Sequence, residues 1–340
     1  MISDWLPLLT IPFFSLLLTG LIRALALRGG LLDLPNRRSS HSTPTPRGGG
    51  LAILGTFLAG LLYLSSSGSP YPARFIVILA AGSLLVAGIG LWDDIRSLPA
   101  RLRLPVHLLA ATLLVWGTGQ QAILRFDTWQ PAWPQPVLGL ILLLAVAWFL
   151  NLFNFMDGID GLAGAEGGFI AGSAALLLFL RGEGPEALLP LLLALACLGF
   201  LFWNWPPARI FMGDVGSGFL GFTLAALALQ TSIFTGSLPV YCWFILPAVF
   251  LADATITLMR RLFRREKWYA AHRSHAYQQA AVRYGSHLRV TLGIMAINLS
   301  WLLPLALLCV IFPQFGSWLT IIAYLPITLL VLKFNGGGPT

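Results

Sequence analysis

The chain has 340 residues, of which 57% are hydrophobic and 10% charged, with a formal net charge of +8 and a mean hydropathy of +0.81. An ordinary soluble domain carries about 25% charged residues, so this composition excludes one and points to a chain embedded in lipid. The apolar runs are long and unalternating, which predicts membrane-spanning helices rather than a barrel, whose strands would alternate every second residue.

Eleven spans are expected in chain order, at 5–27, 48–67, 74–92, 104–118, 137–156, 162–180, 187–205, 217–235, 239–259, 288–312 and 315–333. As helices they suit a hydrocarbon core of about 30 Å, with 104–118 short enough to tilt or to begin in the interface. The first span does not read as a cleavable signal peptide: Asp4 precedes it, no Lys or Arg does, and the positive charge follows the apolar run. Placing the loop after that span in the cytoplasm puts every basic residue except Arg74, Arg125 and Arg181 on the same side, 18 of 21. The positive-inside rule then sets the N-terminus outside and the C-terminus inside. The expected fold is a single all-α, polytopic membrane domain over 1–340. The outer loops are short except for 117–136, where Trp129, Trp133 and several prolines suit an interfacial hairpin. Cys197, Cys242 and Cys309 stand alone in apolar spans, without metal or disulfide spacing, and are read as core packing.

Polar tracts punctuate the spans. HSTPTPRGGG (41–50) opens the second, where the amides of Gly48 to Gly50 beside Arg47 either hold an anion or form a flexible interfacial turn. WDDIRSLP (92–99) closes the third with Asp93 and Asp94, a placement the helix dipole disfavours and function would justify. In NLFNFMDGIDGLAG (151–164), Asn151, Asn154, Asp157 and Asp160 recur every three residues along one side of a helix end. Gly158 and the glycines after it allow close backbone approach, and the whole suits Mg2+ and a nucleotide phosphate. RIFMGDVGSG (209–218) offers Asp214 as a ligand, Asn204 and two prolines structure the loop before it, and Phe211 is either a stacking platform or packing.

The long loop after the ninth span carries His272, Arg273 and His275, which either recognise phosphate or form a basic amphipathic helix on anionic lipid. A zinc site is disfavoured there, because neither a Cys nor a third ligand accompanies the pair. Glu166 and Asp253 lie inside spans and are read as structural partners of Arg or polar groups. Carboxylates near membrane depth are functional candidates by default, and five of them at the ends of three spans predict one shared site. A divalent cation carrying a phosphorylated ligand reconciles so much negative charge.

Together these tracts resemble the polyprenyl-phosphate N-acetylhexosamine-1-phosphate transferases, over about residues 33–290. That family includes the phospho-MurNAc-pentapeptide transferase of peptidoglycan synthesis and the enzymes that initiate O-antigen or common-antigen chains. The resemblance implies transfer of a sugar 1-phosphate from a UDP-N-acetylhexosamine to undecaprenyl phosphate, releasing UMP, with Mg2+ (or Mn2+) as cofactor. It implies a bacterial plasma-membrane enzyme with a cytoplasmic site, surrounded by membrane lipid, without nucleic-acid partners, and a homodimer is a further expectation. Asp93 looks like the proposed base on the lipid phosphate, with Asp94 supporting it. Asp214, Asn154 and Asp157 form the expected metal set. Asn151, Gly158, Asp160, Asn204, Phe211, Gly213 and Arg47, with His272, Arg273 and His275, form the expected substrate side.

The sequence also departs from the pentapeptide-transferase pattern. A proline followed by three histidines is missing, and AHRSHAYQQ (271–279) stands there instead. This favours donors of the UDP-GlcNAc, FucNAc or QuiNAc type, used to start lipopolysaccharide chains, with the peptidoglycan reaction as the alternative. A secondary transporter is the reading from another class, but it would place acids near the midplane and often show internal repeats. Direct transfer and a covalent aspartyl intermediate both remain open at this level, as do basic and positioning roles for Asp93.

Overall fold

The computed structural model describes residues 7–35, 43–126, 130–266 and 273–338, so His272 and Trp129 lie outside the described residues. Of the described residues, 77% are helical. Helix α1 (Ile11–Gly29) leads into a hairpin of two short strands, β1 (Leu32–Asp33) and β2 (Thr45–Pro46), paired antiparallel with Leu32 opposite Pro46. Then come α2 (Gly50–Ser66), α3 (Ala73–Arg96), α4 (Ala100–Thr112), α5 (Gln135–Met156), α6 (Leu162–Leu180) and α7 (Gly184–Asn204). The chain continues through α8 (Asp214–Ala228), α9 (Val240–Ile245), α10 (Ala248–Phe263), α11 (Ala276–Tyr284), α12 (His287–Ile297), α13 (Leu303–Ile311) and α14 (Gly316–Lys333). Wider π-helical turns extend α4 over Leu113–Gly117 and α8 over Leu229–Phe234, and join α12 to α13 over Asn298–Leu302.

Proline and glycine set many of these boundaries. Pro72, Pro99, Pro134, Pro239 and Pro247 precede α3, α4, α5, α9 and α10, where a missing N–H costs nothing. Gly30 and Gly285 close α1 and α11 at φ of 74° and 59°, the left-handed geometry a helix end favours.

Among the described residues, eight helical segments are long and apolar enough to cross a membrane: Leu8–Gly29, Ala73–Arg96, Gln135–Met156, Leu162–Leu180, Gly184–Asn204, Asp214–Phe234, His287–Ile311 and Pro313–Lys333. Each coincides with an expected span. The other three expected spans are also helical but differ in form. One is the 17-residue apolar helix α2, one is α4 with its π-helical extension, and one is broken at Leu246 and Pro247 between α9 and α10. Leu17, Leu140, Phe179, Leu198 and Leu329 are exposed on the outside of the bundle, as lipid-facing residues are. The protein is thus an all-α, multi-pass membrane protein.

Helix α8 forms the centre, with 94% of its apolar window buried against 17% for the first span and 22% for the last. It packs against both α3 and α5. The N-terminus of α8 therefore meets the C-terminal ends of α3 and α5 at one end of the bundle. At the opposite end, Tyr71 donates to the Glu186 backbone oxygen at 2.5 Å and Gln120 donates to Gln230 at 2.9 Å. Cys197, Cys242 and Cys309 are buried free thiols inside the bundle.

Candidate functional site

The first two carboxylates sit on the last turns of α3. Asp94 has no exposed side-chain surface, and its two oxygens accept the backbone N–H groups of Asp214 at 2.9 Å and Val215 at 3.1 Å. It therefore caps the N-terminus of α8 from a neighbouring helix, supplying an anion where the helix dipole favours one. Two glycines make this fit. A Cβ at Gly90 would come within 2.5 Å of the Asp214 carbonyl oxygen, and one at Gly213 (φ +79°) would collide with the Asp94 carboxylate. The position that looked unfavourable for α3 is favourable for α8.

Asp93 faces the other way. Its carboxylate accepts the Leu98 N–H across the turn that ends α3 and a guanidinium hydrogen of Arg103 at 2.6 Å. The same Arg103 Nη1 lies 2.6 Å from Asp214 Oδ2. One guanidinium nitrogen thus joins the carboxylates of Asp93 and Asp214. Arg103 stands in the first turn of α4, just across the Ser97–Pro99 turn, which aims it back at the end of α3. In the sequence Arg103 carries only the topological charge signal.

The tract that ends α5 completes the group. Asn154 donates its amide N–H to Ser217 Oγ on α8 at 3.1 Å. Asp157 follows as the C-terminal cap of α5. Burial, reinforced by Asp94 and Asp160 and opposed by Arg47, pushes its carboxyl up to about 7. Asn151 turns elsewhere, donating to the Ala147 carbonyl at 2.7 Å and meeting His107 of α4.

Several expected substrate residues are engaged with protein. Asp160 accepts the Ala208 N–H at 3.1 Å and lies 3.3 Å from His287 Nδ1. Asn204, 4% exposed, accepts from Gly161 at 3.1 Å and donates to the Ile210 carbonyl at 2.9 Å. These two side chains knit the loop after α5 to the loop before α8. Phe211 pairs through its backbone with Pro46 and Gly49, at 2.8 and 2.9 Å. The amides of Gly49 and Gly50 are spent on the Phe211 and Met212 carbonyls, so of the two readings of Gly48 to Gly50 the structure shows a docked turn. Arg47 bonds Asp33 at 2.8 Å and stands 3.8 Å from Asp94. Burial opposes its charge, but Asp33, Asp94 and Asp214 outweigh that and raise its pKa.

The loop before α11 divides its residues. His275 is 3% exposed, 3.4 Å from Asp253 Oδ1, and its ring stacks near Phe155 and Tyr277. Asp253 also accepts the N–H groups of Ala276 and Tyr277 at 2.9 and 3.0 Å, capping α11 as Asp94 caps α8. Its structural reading fits this geometry. Glu166 is likewise buried and accepts from Asn298 at 2.6 Å. Arg273, Gln278, Asp160 and His287 line an open cavity of about 510 Å³ beside the Asp157 tract. Tyr277 donates to the Phe155 carbonyl at 3.0 Å, and Gly158 leaves room for its hydroxyl.

Whether these residues suit a divalent cation follows from their chemistry. Among the described residues, no three Asp, Glu, His or Cys side chains close a complete cage. Mg2+ asks for less, since it keeps several waters and is commonly held by one or two carboxylates plus substrate phosphates. Two carboxylates gathered on one guanidinium nitrogen, with a third, Asp157, whose pKa is lifted first by burial and then by Asp94, are groups a cation would stabilise. The donor set fits.

Comparison with known proteins adds a second line. The model of glycosyl transferase family 4 matches residues 76–232. A probable undecaprenyl-phosphate N-acetylglucosaminyl 1-phosphate transferase of Bacillus subtilis is 29% identical over 296 residues, covering 83% of this chain and 78% of that protein. A decaprenyl-phosphate N-acetylglucosaminephosphotransferase of Mycobacterium leprae is 30% identical over 318 residues, 84% of this chain and 79% of that one. A phospho-N-acetylmuramoyl-pentapeptide-transferase of Synechococcus sp. is 30% identical over 322 residues, 89% of this chain and 86% of that one.

Proposed function

The chain belongs to glycosyl transferase family 4, and from that premise we propose that it transfers an N-acetylhexosamine 1-phosphate from a UDP-sugar to undecaprenyl phosphate. The observation that carries this reading is the convergence of Asp93, Asp94, Asp157 and Asp214 from three helix ends at one end of the bundle. A lipid phosphate is tethered at a membrane surface, so a site for it belongs at the ends of spans. We place that end in the cytoplasm of a bacterial plasma membrane, the side the basic residues favour.

In this reaction an oxygen of the lipid phosphate attacks the β-phosphorus of the donor. The bond from that phosphorus to the bridging oxygen breaks, and UMP leaves. Phosphoryl transfer asks mainly for positioning and charge neutralisation. Asp214, Asn154 and Asp157 would hold Mg2+ or Mn2+, which when bound supplies charge neutralisation at the diphosphate. Asp93, fixed by the Leu98 N–H and facing the same point as Asp214, orients the nucleophile or takes its proton. Asp94 holds the Gly213–Asp214 turn in register by capping α8. Arg273 reaches the open cavity beside Asp160, a place from which it would meet the donor.

For the donor we favour UDP-GlcNAc or a 6-deoxy relative such as UDP-FucNAc or UDP-QuiNAc, and the first step of an O-antigen or related surface polysaccharide. The loop AHRSHAYQQ supports this over a peptidoglycan precursor. The second reading, transfer of phospho-MurNAc-pentapeptide, draws on the length of the match to the relative of that name. Purified protein incubated with undecaprenyl phosphate, Mg2+ and each donor separates the two. UMP release with a UDP-N-acetylhexosamine supports the proposal. Release with UDP-MurNAc-pentapeptide alone selects the second reading, and no release with any donor refutes both.

A further inference from the structure

Arg103 occupies an unusual position for a surface-end arginine. One of its nitrogens, Nη1, touches two carboxylate oxygens from helices far apart in sequence, at 2.6 Å each. Both carboxylates bear on that one nitrogen, so the guanidinium is the positive charge that lets them share one place. Both acids are anchored. Asp93 is held by the Leu98 N–H, and Asp214 opens the capped central helix α8. Arg103 is the adjustable member: a long side chain on the first turn of α4, 26% exposed at its tip. It releases the acids by swinging away.

We propose that Arg103 is a resident counter-ion that holds Asp93 and Asp214 together and competes with the divalent cation for Asp214. The inference rests on the metal reading above, and it adds that metal affinity is set by how often Arg103 vacates the site. Helix α4 holds Arg103 within contact distance of both acids, so its effective concentration there is high. Arg47, the other guanidinium nearby, sits on Asp33 and beside Asp94 and so does not replace it. Removing the Arg103 charge therefore improves metal binding while leaving the ligands in place. An arginine that served the ligands as a supporting partner would do the opposite.

The test measures Mn2+ binding to the purified full chain in detergent, without substrates, from the magnetic-resonance signal of the free ion. Wild type is compared with Arg103→Met and Arg103→Gln, and with Asp214→Asn as the ligand control. Size-exclusion profiles establish that each variant is folded, and Gln carries the comparison if Met is not. The expected result is Mn2+ binding at least roughly tenfold tighter in both arginine variants, the factor by which a site vacant about one-tenth of the time is weakened. Asp214→Asn should bind poorly. Equal or weaker binding in the arginine variants, with clear binding to wild type, overturns the inference and leaves the metal reading standing. Absence of Mn2+ binding in wild type and arginine variants alike also overturns the inference.

Discussion

Adjacent carboxylates with different tasks should separate on substitution. Asp94→Asn keeps one acceptor oxygen but turns an NH2 group toward a backbone N–H that now lies 2.9 or 3.1 Å from a carboxylate oxygen. A buried donor left without its acceptor costs about 1–3 kcal/mol, and loss of a helix-capping anion costs about 0.5–2 kcal/mol. Relief from burying a charge offsets part of this, so a net loss of about 2 kcal/mol is expected. With an unfolding entropy of roughly 2 cal/mol/K per residue over 340 residues, that is a fall in Tm of about 3 °C. Activity should fall as well, because the Asp214 turn loosens. Asp93→Asn loses a partly exposed ion pair instead, worth about 1 kcal/mol or less. Its activity should drop roughly 10²–10⁴-fold if Asp93 is a general base, and less if it only positions the nucleophile. Thermal unfolding in detergent and UMP release, measured on the same preparations, give both numbers. An Asp94→Asn protein with unchanged Tm and activity as low as that of Asp93→Asn would refute the capping role.

Gly90→Ala should cut turnover by at least roughly tenfold, because its Cβ would press on the Asp214 backbone and a small misplacement near the chemistry costs at least that much. Activity within twofold of wild type would refute the close-packing argument. The Mg2+ concentration for half-maximal rate should climb as pH falls below about 7, where Asp157 gains a proton that competes with the cation. Above that pH the carboxylate is ionised and the requirement should level off, so a flat dependence from pH 6 to 8 would remove Asp157 from the metal set. Cysteines placed at exposed Ser67 and Ser97, after replacement of the native three, test orientation. An impermeant thiol reagent on intact cells should reach position 67 but not 97, and the reverse would invert the topology.

Much of this arrangement was legible in the chain. Long apolar runs broken by Pro and Gly located the helices, and acids gathered at span ends pointed to one site because a carboxylate at membrane depth is costly unless paired, metal-bound or wet. What remained hidden depended on contacts between distant segments. Asp94 reads as misplaced on its own helix, and only the packing of α8 beside α3 shows which dipole it serves. Arg103 meets Asp214 across 111 residues, a pairing that carries no local pattern. His275, expected to face substrate, is drawn inward by Asp253, since a helix start at Ala276 needs a cap more than the loop needs an exposed ring. Gly48 to Gly50 offered amides to an anion, but the backbone of the 211–212 segment already accepts two of them.

The central claim is that the β-phosphate of the donor leaves with the sugar. Donor labelled with radioactive phosphorus in the β-phosphate, incubated with purified protein, undecaprenyl phosphate and Mg2+, follows that atom directly. The account predicts that the label enters the lipid fraction as UMP accumulates, and that EDTA or Asp214→Asn suppresses both. Label left in UDP while the sugar alone moves to lipid would contradict it.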